Sequence, residues 1–331
     1  MELQHNFIRS QSPYRQQLPQ LSPNEKVFIT DGGLETDLIF QQGIHLPEFA
    51  AFVLINDVMG RAALRRYFEK YVAIAREYNT GLVLESPTWR ANRDWGERLG
   101  CDAAALTRIN RDAITFFQEM RTEAAASVSP IVISGCIGPR GDGYNPDSYM
   151  DAHTAQQYHA PQVDVFERAG ADMVSAITMT YVEEAIGIAW AAQVAGIPAV
   201  ISFTVETDGR LPSGRSLKDA IEQVDKETNA TPAYYMINCA HPTHFQQVIA
   251  GNEPWCDRIY GVRANASQKS HAELDEAETL DDGNPQELGA DYVALKEKLR
   301  NLTVLGGCCG TDYRHIKAIC EAYFPLVGAT V

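Results

Sequence analysis

The chain has 331 residues, of which 45% are hydrophobic, 21% charged and 9% aromatic. This composition supports a sizeable core and excludes a disordered chain, a collagen-like repeat and a small disulfide scaffold. Lys plus Arg number 28 and Asp plus Glu number 43, so the formal net charge is −15, and neither nucleic acid nor an anionic membrane surface is an expected partner.

The first 25 residues are rich in Gln, Ser and Pro, and we expect them to form a flexible N-terminal arm ahead of one domain over residues 26–331. Nothing in the opening thirty residues resembles the apolar core of a signal peptide, and no stretch reaches the roughly 18 apolar residues of a membrane helix. A cytoplasmic location is therefore expected, and self-association is left open.

From Lys26 onward, short runs rich in β-branched residues predict eight strands. They are Val27–Asp31, Gly81–Glu85, Pro130–Gly135, Asp172–Thr178, Pro198–Thr204, Ala233–Cys239, Arg258–Arg263 and Leu302–Gly307. Amphipathic segments between the runs have helical periodicity. They include Arg61–Tyr78, Ala103–Ala124, Ala155–Ala169, Val182–Val194 and Ser216–Glu227.

Eight strongly apolar strands that alternate with helices favour a closed parallel (β/α)8 barrel, the TIM barrel. An open doubly wound sheet is the alternative, but no G-x-G-x-x-G follows the first strand and Asp31-Gly32-Gly33 is a poor substitute. The acidic segment Ser270–Glu287 is expected to be a loop insertion after the seventh strand.

Three of the seven cysteines fall at predicted strand ends, where a barrel builds its active site. Cys239 closes the sixth strand, while Cys308 and Cys309 follow the eighth between glycines. Three soft thiolates favour Zn²⁺, and three protein ligands leave the open fourth position of a catalytic site. The alternative is that Cys239 is a buried apolar residue and Cys308-Cys309 a chance pair, because C-x2-C spacing is absent.

Three motifs resemble the homocysteine S-methyltransferase family of zinc-dependent thiol and selenol methyltransferases. They are Thr30-Asp31-Gly32-Gly33-Leu34-Glu35-Thr36-Asp37-Leu38, Asn238-Cys239 and Gly306-Gly307-Cys308-Cys309-Gly310-Thr311. They occur in the family's order, the resemblance runs from about Lys26 to Tyr323, and the family fold is a zinc-containing (β/α)8 barrel.

The resemblance implies that Cys239, Cys308 and Cys309 ligate zinc and that the enzyme methylates the thiolate of homocysteine to give methionine. The donor would be a sulfonium or ammonium compound such as S-methylmethionine, S-adenosylmethionine or betaine. The same resemblance implies that Asp31 contacts the acceptor amino group, that Gly32 and Gly33 let the backbone approach the ligand, and that Asn238 orients the thiolate loop. The alternative for Asp31 is an N-cap or turn residue, and the alternative for Asn238 is an ordinary hydrogen-bonded turn residue.

One position departs from the family pattern. Ile177 stands where the family has a glutamate that holds the acceptor amine, and Glu85 on a neighbouring strand is the carboxylate that could replace it, unless it pairs with Arg90 or Arg93. A zinc enzyme acting on another small thiol or a selenol is therefore an alternative. A non-catalytic zinc-bound barrel, with a closed metal site and no pocket, is a third.

Overall fold

The computed structural model describes residues 12–22, 26–144, 148–249, 253–277 and 279–327. Eight parallel strands close into a barrel in which each strand pairs with its neighbours in the chain and β1 pairs with β8. The strands are β1 Phe28–Ile29, β2 Gly81–Glu85, β3 Ile131–Ile137, β4 Met173–Met179, β5 Ala199–Phe203, β6 Tyr234–Asn238, β7 Ile259–Ala264 and β8 Val304–Gly307. The predicted (β/α)8 barrel is confirmed.

A helix follows every strand and covers the outside of the barrel. These helices are α1 Val58–Glu77, α2 Ala103–Ala124, α3 Ala152–Ala169, α4 Val182–Ala195, α5 Leu217–Thr228, α6 Pro242–Phe245, α7 Pro285–Lys298 and α8 Tyr313–Val327. Side chains at the N-caps explain where several of them begin, because Asp57, Asp102 and Asp151 accept hydrogen bonds from the first turns of α1, α2 and α3. No helix in the described part of the chain is long and apolar enough to cross a membrane.

The two larger apolar clusters among the described residues pack the barrel. The larger one fills the space between the strands and the outer helices. A smaller one, with Phe28, Met173 and Tyr234 among its members, fills the lower part of the barrel itself. Hydrophobic burial therefore closes the N-terminal end of the barrel and leaves polar side chains for the opposite end.

Residues 12–22 differ from the expected flexible arm, because they pack against the N-terminal end of the barrel. Leu18 is buried in the interior cluster, and Arg15 forms an ion pair of 2.7 Å with Glu167. The amide of Gln20 donates to the Tyr234 hydroxyl at 3.2 Å. Apolar and ionic contacts thus anchor this segment, whereas residues 1–11 and 23–25 of the predicted arm lie outside the described residues.

The acidic segment after β7 also has more regular structure than a loop insertion. A short helix spans His271–Asp275, and Ser270 and Glu273 form a reciprocal capping box at its start. Pro285 then begins α7, with Asn284 as its N-cap. Between these two helices, Ala277, Thr279, Leu280 and Asp281 line one side of the barrel mouth.

Candidate metal centre and substrate cavity

The three cysteines predicted at strand ends come together at the C-terminal mouth of the barrel. Cys239 follows β6, and Cys308 and Cys309 follow β8. Their Sγ atoms all lie within 4.8 Å of one another, and those of Cys239 and Cys308 are in contact. Cys239 is buried, while Cys308 and Cys309 are partly exposed.

This donor set fits a soft, tetrahedral cation. A zinc ion bound by three cysteines has Zn–S bonds of about 2.3 Å and sulfurs about 3.8 Å apart. Cys239 and Cys308, whose sulfurs are joined as a disulfide in this structure, would therefore bind it in their reduced form. Burial raises the pKa of the Cys309 thiol, and a bound cation would favour the thiolate form. The cluster could therefore hold a metal ion, and it leaves room for a further ligand on the cavity side.

Asn238 supports the loop that carries Cys239. Its Oδ1 accepts hydrogen bonds from the Thr178 backbone N–H at 3.0 Å and from the Ser202 hydroxyl at 2.6 Å, and its Nδ2 donates to the Thr178 hydroxyl at 2.8 Å. Thr178 has a φ of 67°, a strained value for a β-branched residue. Asn238 thus holds Thr178 in place, with the Thr178 hydroxyl 3.9 Å from Cys239 Sγ.

Gly32 and Gly33 bring the loop after β1 against the loop that carries the cysteine pair. A Cβ on Gly33 would lie 2.6 Å from the carbonyl oxygen of Cys308, and one on Gly32 would lie 2.8 Å from that of Thr311. Both glycines line the cavity. Their small size is needed for packing against the cysteine loop, a reason that the sequence pattern did not supply.

A cavity of about 450 Å³ opens beside the three sulfurs. Its floor contains Asp31, Glu85 and Ile177, and its wall includes Trp89 and Tyr144. The side chain of Ile177 is buried, and its carbonyl accepts a hydrogen bond of 3.1 Å from Trp89 Nε1. All the predicted substrate-contact residues except Asn238 therefore line one cavity, and Asn238 lies just behind the sulfurs.

Glu85 is not paired with Arg90 or Arg93. Both of its carboxylate oxygens are buried and lack a hydrogen bond within the described part of the chain. Burial raises the pKa of Glu85 to about 7, although the positive charge of Arg263 and the nearby hydroxyls of Ser175 and Ser134 oppose the shift. Arg90 instead stacks 3.8 Å over the Trp95 ring, and Arg93 pairs with Asp94.

Asp31 makes contacts that the sequence did not predict. Its Oδ1 accepts a hydrogen bond of 2.7 Å from Arg263 Nη2, and its Oδ2 accepts one of 3.1 Å from the Tyr67 hydroxyl. Burial raises the pKa of Asp31, and Arg263 and Tyr67 both oppose that shift. The sequence did not identify Arg263 as a site residue. Its partner Asp31 lies 232 positions earlier in the chain, and nothing in the strand pattern indicates that the two side chains meet.

Sequence reasoning also missed three other residues at the site. The Tyr144 hydroxyl lies 3.5 Å from Cys309 Sγ, and the Tyr144 ring stacks on His271 at a centroid distance of 4.0 Å. A ring nitrogen of His271 lies 2.6 Å from the Cys239 carbonyl oxygen. Glu35 lines the same cavity, and burial raises its pKa to about 7. A carboxyl two residues after the Asp31-Gly32-Gly33 motif was a detectable signal in the sequence, whereas the positions of Tyr144 and His271 depend on loop geometry.

The fold and this site define a class of (β/α)8 barrel with a three-cysteine cluster that could hold a metal ion beside a cavity at the barrel mouth. The family model described as "Homocysteine S-methyltransferase" matches residues 28–323. The chain therefore belongs to the homocysteine S-methyltransferase family and is a methyltransferase.

Solved structures of the homocysteine methyltransferase MmuM from Escherichia coli have a similar fold. The oxidised form has a TM-score of 0.70 and 18% identity, and the match covers 90% of this chain and 96% of that chain. The metallated form has a TM-score of 0.69 and 19% identity, with the same coverage. A comparison with curated proteins finds no match.

Proposed function

We propose that this protein is a zinc-dependent S-methyltransferase that transfers a methyl group from a sulfonium or ammonium donor to the thiolate of homocysteine, giving methionine. The observation that carries the proposal is the convergence of the Cys239, Cys308 and Cys309 sulfurs at the edge of a substrate-sized cavity. A cytoplasmic location, where these thiols stay reduced, fits this chemistry.

Zinc, when bound by the three cysteines, supplies the positive charge that stabilises the acceptor sulfur as a thiolate and so as a nucleophile. Asn238 and Thr178 hold the Cys239 loop, and Gly33 keeps the Cys308 carbonyl close to the loop after β1. These contacts fix the direction from which the acceptor sulfur meets the donor, and such orientation is a main source of rate in displacement reactions.

The wall of the cavity suits a cationic donor. Trp89, Tyr144, Phe40 and Phe49 line it with aromatic rings, and Glu35 is among the carboxylates that line it. Aromatic faces and carboxylates attract sulfonium and quaternary ammonium groups. During transfer a carbon–sulfur bond forms at the acceptor while the bond between the methyl carbon and the donor heteroatom breaks. The donor then leaves as a neutral thioether or amine and no longer has the charge that held it.

The acceptor end of the cavity supports two candidates. The unpaired Glu85 carboxyl favours homocysteine, because an ammonium group would satisfy both of its oxygens. Ile177, an aliphatic side chain at the position where the family has an amine-binding glutamate, favours another small thiol or a selenol. A non-catalytic barrel is the least supported alternative, since it requires a closed metal site without the cavity that is present.

A donor-by-acceptor methylation screen tests this proposal. The zinc-loaded protein is incubated with S-methylmethionine, S-adenosylmethionine or betaine in combination with homocysteine or other small thiols and selenols, and methylated products are identified by mass spectrometry. We expect methionine from homocysteine and at least one onium donor. If zinc is bound but no donor and acceptor pair gives product, the proposal is wrong.

A further inference from the structure

Arg263 is a charged side chain at the C-terminal end of β7 that enters the barrel. It is buried, with 9% of its side chain exposed, and it lines the cavity. Its Nε donates to the Gly307 carbonyl at 3.1 Å, and its Nη2 donates to Asp31 Oδ1 at 2.7 Å. A buried guanidinium is costly unless it is paired and hydrogen-bonded, and here both conditions are met.

The neighbouring strand makes space for this side chain. Gly306 on β8 is the register partner of Arg263, and a Cβ there would lie 3.3 Å from Arg263 Cγ and would clash with the Thr30 hydroxyl. The Thr30 hydroxyl and the stem of the arginine therefore leave no room for a side chain at Gly306. This packing makes Arg263 an integral part of the cavity floor.

The ion pair with Arg263 limits the ability of Asp31 to bind an ammonium group. One Asp31 oxygen accepts from Arg263 and the other accepts from Tyr67, so an incoming ammonium group would compete with a buried guanidinium for the same carboxylate. Glu85, in contrast, lines the cavity and has no charged hydrogen-bond partner within the described residues, although the Ser134 and Ser175 hydroxyls lie near enough to lower its pKa. Of the two carboxyl groups, Glu85 is the one available to an amine.

Arg263 also has a free donor group. Its hydrogen bonds to described residues use Nε and Nη2 and none uses Nη1, while the side chain faces the cavity. The floor thus combines one available guanidinium N–H group with one unpaired carboxyl group. A molecule with both a carboxylate and an ammonium group, as in an α-amino acid, is complementary to this pair.

We propose that Arg263 determines acceptor specificity by neutralising Asp31 and offering Nη1 to the acceptor carboxylate, while Glu85 receives the ammonium group. The inference rests on the proposed transfer to an amino-acid thiol. It assigns the two ends of the acceptor to two different residues, and each end can be removed separately in a synthetic thiol.

The test compares three acceptors in four proteins. Homocysteine carries both groups, 4-sulfanylbutanoate lacks the amine, and 3-aminopropane-1-thiol lacks the carboxylate. The proteins are the wild type, Glu85→Gln, Asp31→Asn and the double variant Asp31→Asn with Arg263→Gln. The double variant removes both members of the ion pair, so neither charge is left buried and alone. Zinc content and thermal unfolding are measured for each protein.

We expect the double variant to lose preference for homocysteine over 3-aminopropane-1-thiol by about 10- to 100-fold, the effect of one charge-assisted hydrogen bond. Glu85→Gln should instead lose preference for homocysteine over 4-sulfanylbutanoate by a similar factor. Asp31→Asn alone should leave the preference for homocysteine over 4-sulfanylbutanoate unchanged. Two results would overturn the proposal. One is that Asp31→Asn loses its preference for homocysteine over 4-sulfanylbutanoate. The other is that the double variant keeps its preference for homocysteine over 3-aminopropane-1-thiol.

Calorimetric binding of the methylated thioethers separates this inference from the proposed function. Methionine, 4-(methylsulfanyl)butanoate and 3-(methylsulfanyl)propan-1-amine have the same end groups as the three thiols but need no methyl donor. If they bind with the expected preferences while no methyl transfer occurs, the proposed function fails and the assignment of Arg263 stands. If homocysteine is methylated but the variants leave the preferences unchanged, the assignment fails alone. If the wild type binds no thioether and uses no thiol, both fail.

Discussion

Replacement of Glu85 by glutamine should make the protein more stable at alkaline pH. Burial raises the pKa of this carboxyl from 4.5 to about 7 in the folded protein, and within the described residues it has no charged hydrogen-bond partner. Between pH 4.5 and about pH 7, Glu85 holds a proton in the folded state that it has lost in the unfolded state. The free energy of unfolding therefore falls as pH rises through this window.

The size of the effect follows from the shift. One pKa unit corresponds to about 1.4 kcal/mol, so the ionisable Glu85 costs about 1 kcal/mol of stability at pH 5.5 and about 3 kcal/mol at pH 8.5. Glutamine has nearly the same shape and no charge. The stability of Glu85→Gln relative to wild type should therefore increase by about 2 kcal/mol between these two pH values.

Urea unfolding at pH 5.5 and pH 8.5 measures this difference, with Glu69→Gln on the exposed face of α1 as the matched control for loss of one carboxylate. The same ionisation has a functional readout. In the wild type, preference for homocysteine over 4-sulfanylbutanoate should rise as pH passes 7, because ionised Glu85 binds the amine. If the free energy of unfolding changes by the same amount between pH 5.5 and pH 8.5 in wild type and in Glu85→Gln, burial does not raise the pKa of Glu85.

Three further predictions concern the metal and the acceptor. Cys308→Ala should lose both zinc and methyl transfer while Cys101→Ser keeps them, and equal zinc in wild type and Cys308→Ala would disprove the ligand assignment. Binding of the acceptor thiol should release close to one proton near neutral pH, detected by calorimetry in buffers of different ionisation enthalpy; an absence of buffer dependence would mean that the thiol does not ionise on binding. Ile177→Glu should raise the ratio of kcat/KM for homocysteine to that for 4-sulfanylbutanoate by about 10- to 100-fold. An unchanged ratio in the folded, zinc-loaded variant would place Ile177 away from the acceptor amine.

Most of the barrel could be predicted because its strands are buried on both faces. Runs such as Gly81–Glu85 and Asp172–Thr178 have no polar face, and the observed strands begin and end within about two residues of the predicted ones. The first strand is shorter than predicted, ending at Ile29, because the chain turns there so that Gly32 and Gly33 can pack against the cysteine loop. The helix at His271–Asp275 was missed although its Ser270 and Glu273 capping box is visible in the sequence.

The site was predictable only in part, for a related reason. The cysteines could be placed together because parallel strands bring their C-terminal ends to one mouth, whatever the loops do. The contacts of Asp31 could not, since its partners Arg263 and Tyr67 come from β7 and α1 and depend on the side-chain layer inside the barrel. The sequence places Glu85 at the end of a predicted strand, but the absence of a charged partner for it among the described residues is a property of the packed cavity.

The proposed function requires that the three cysteines hold a zinc ion whose remaining position accepts the substrate sulfur. X-ray absorption at the zinc edge, recorded with and without homocysteine, measures the number of sulfur neighbours directly. We expect three sulfur ligands in the protein alone and four after homocysteine is added. A sulfur count that does not change on adding homocysteine would contradict the proposed function.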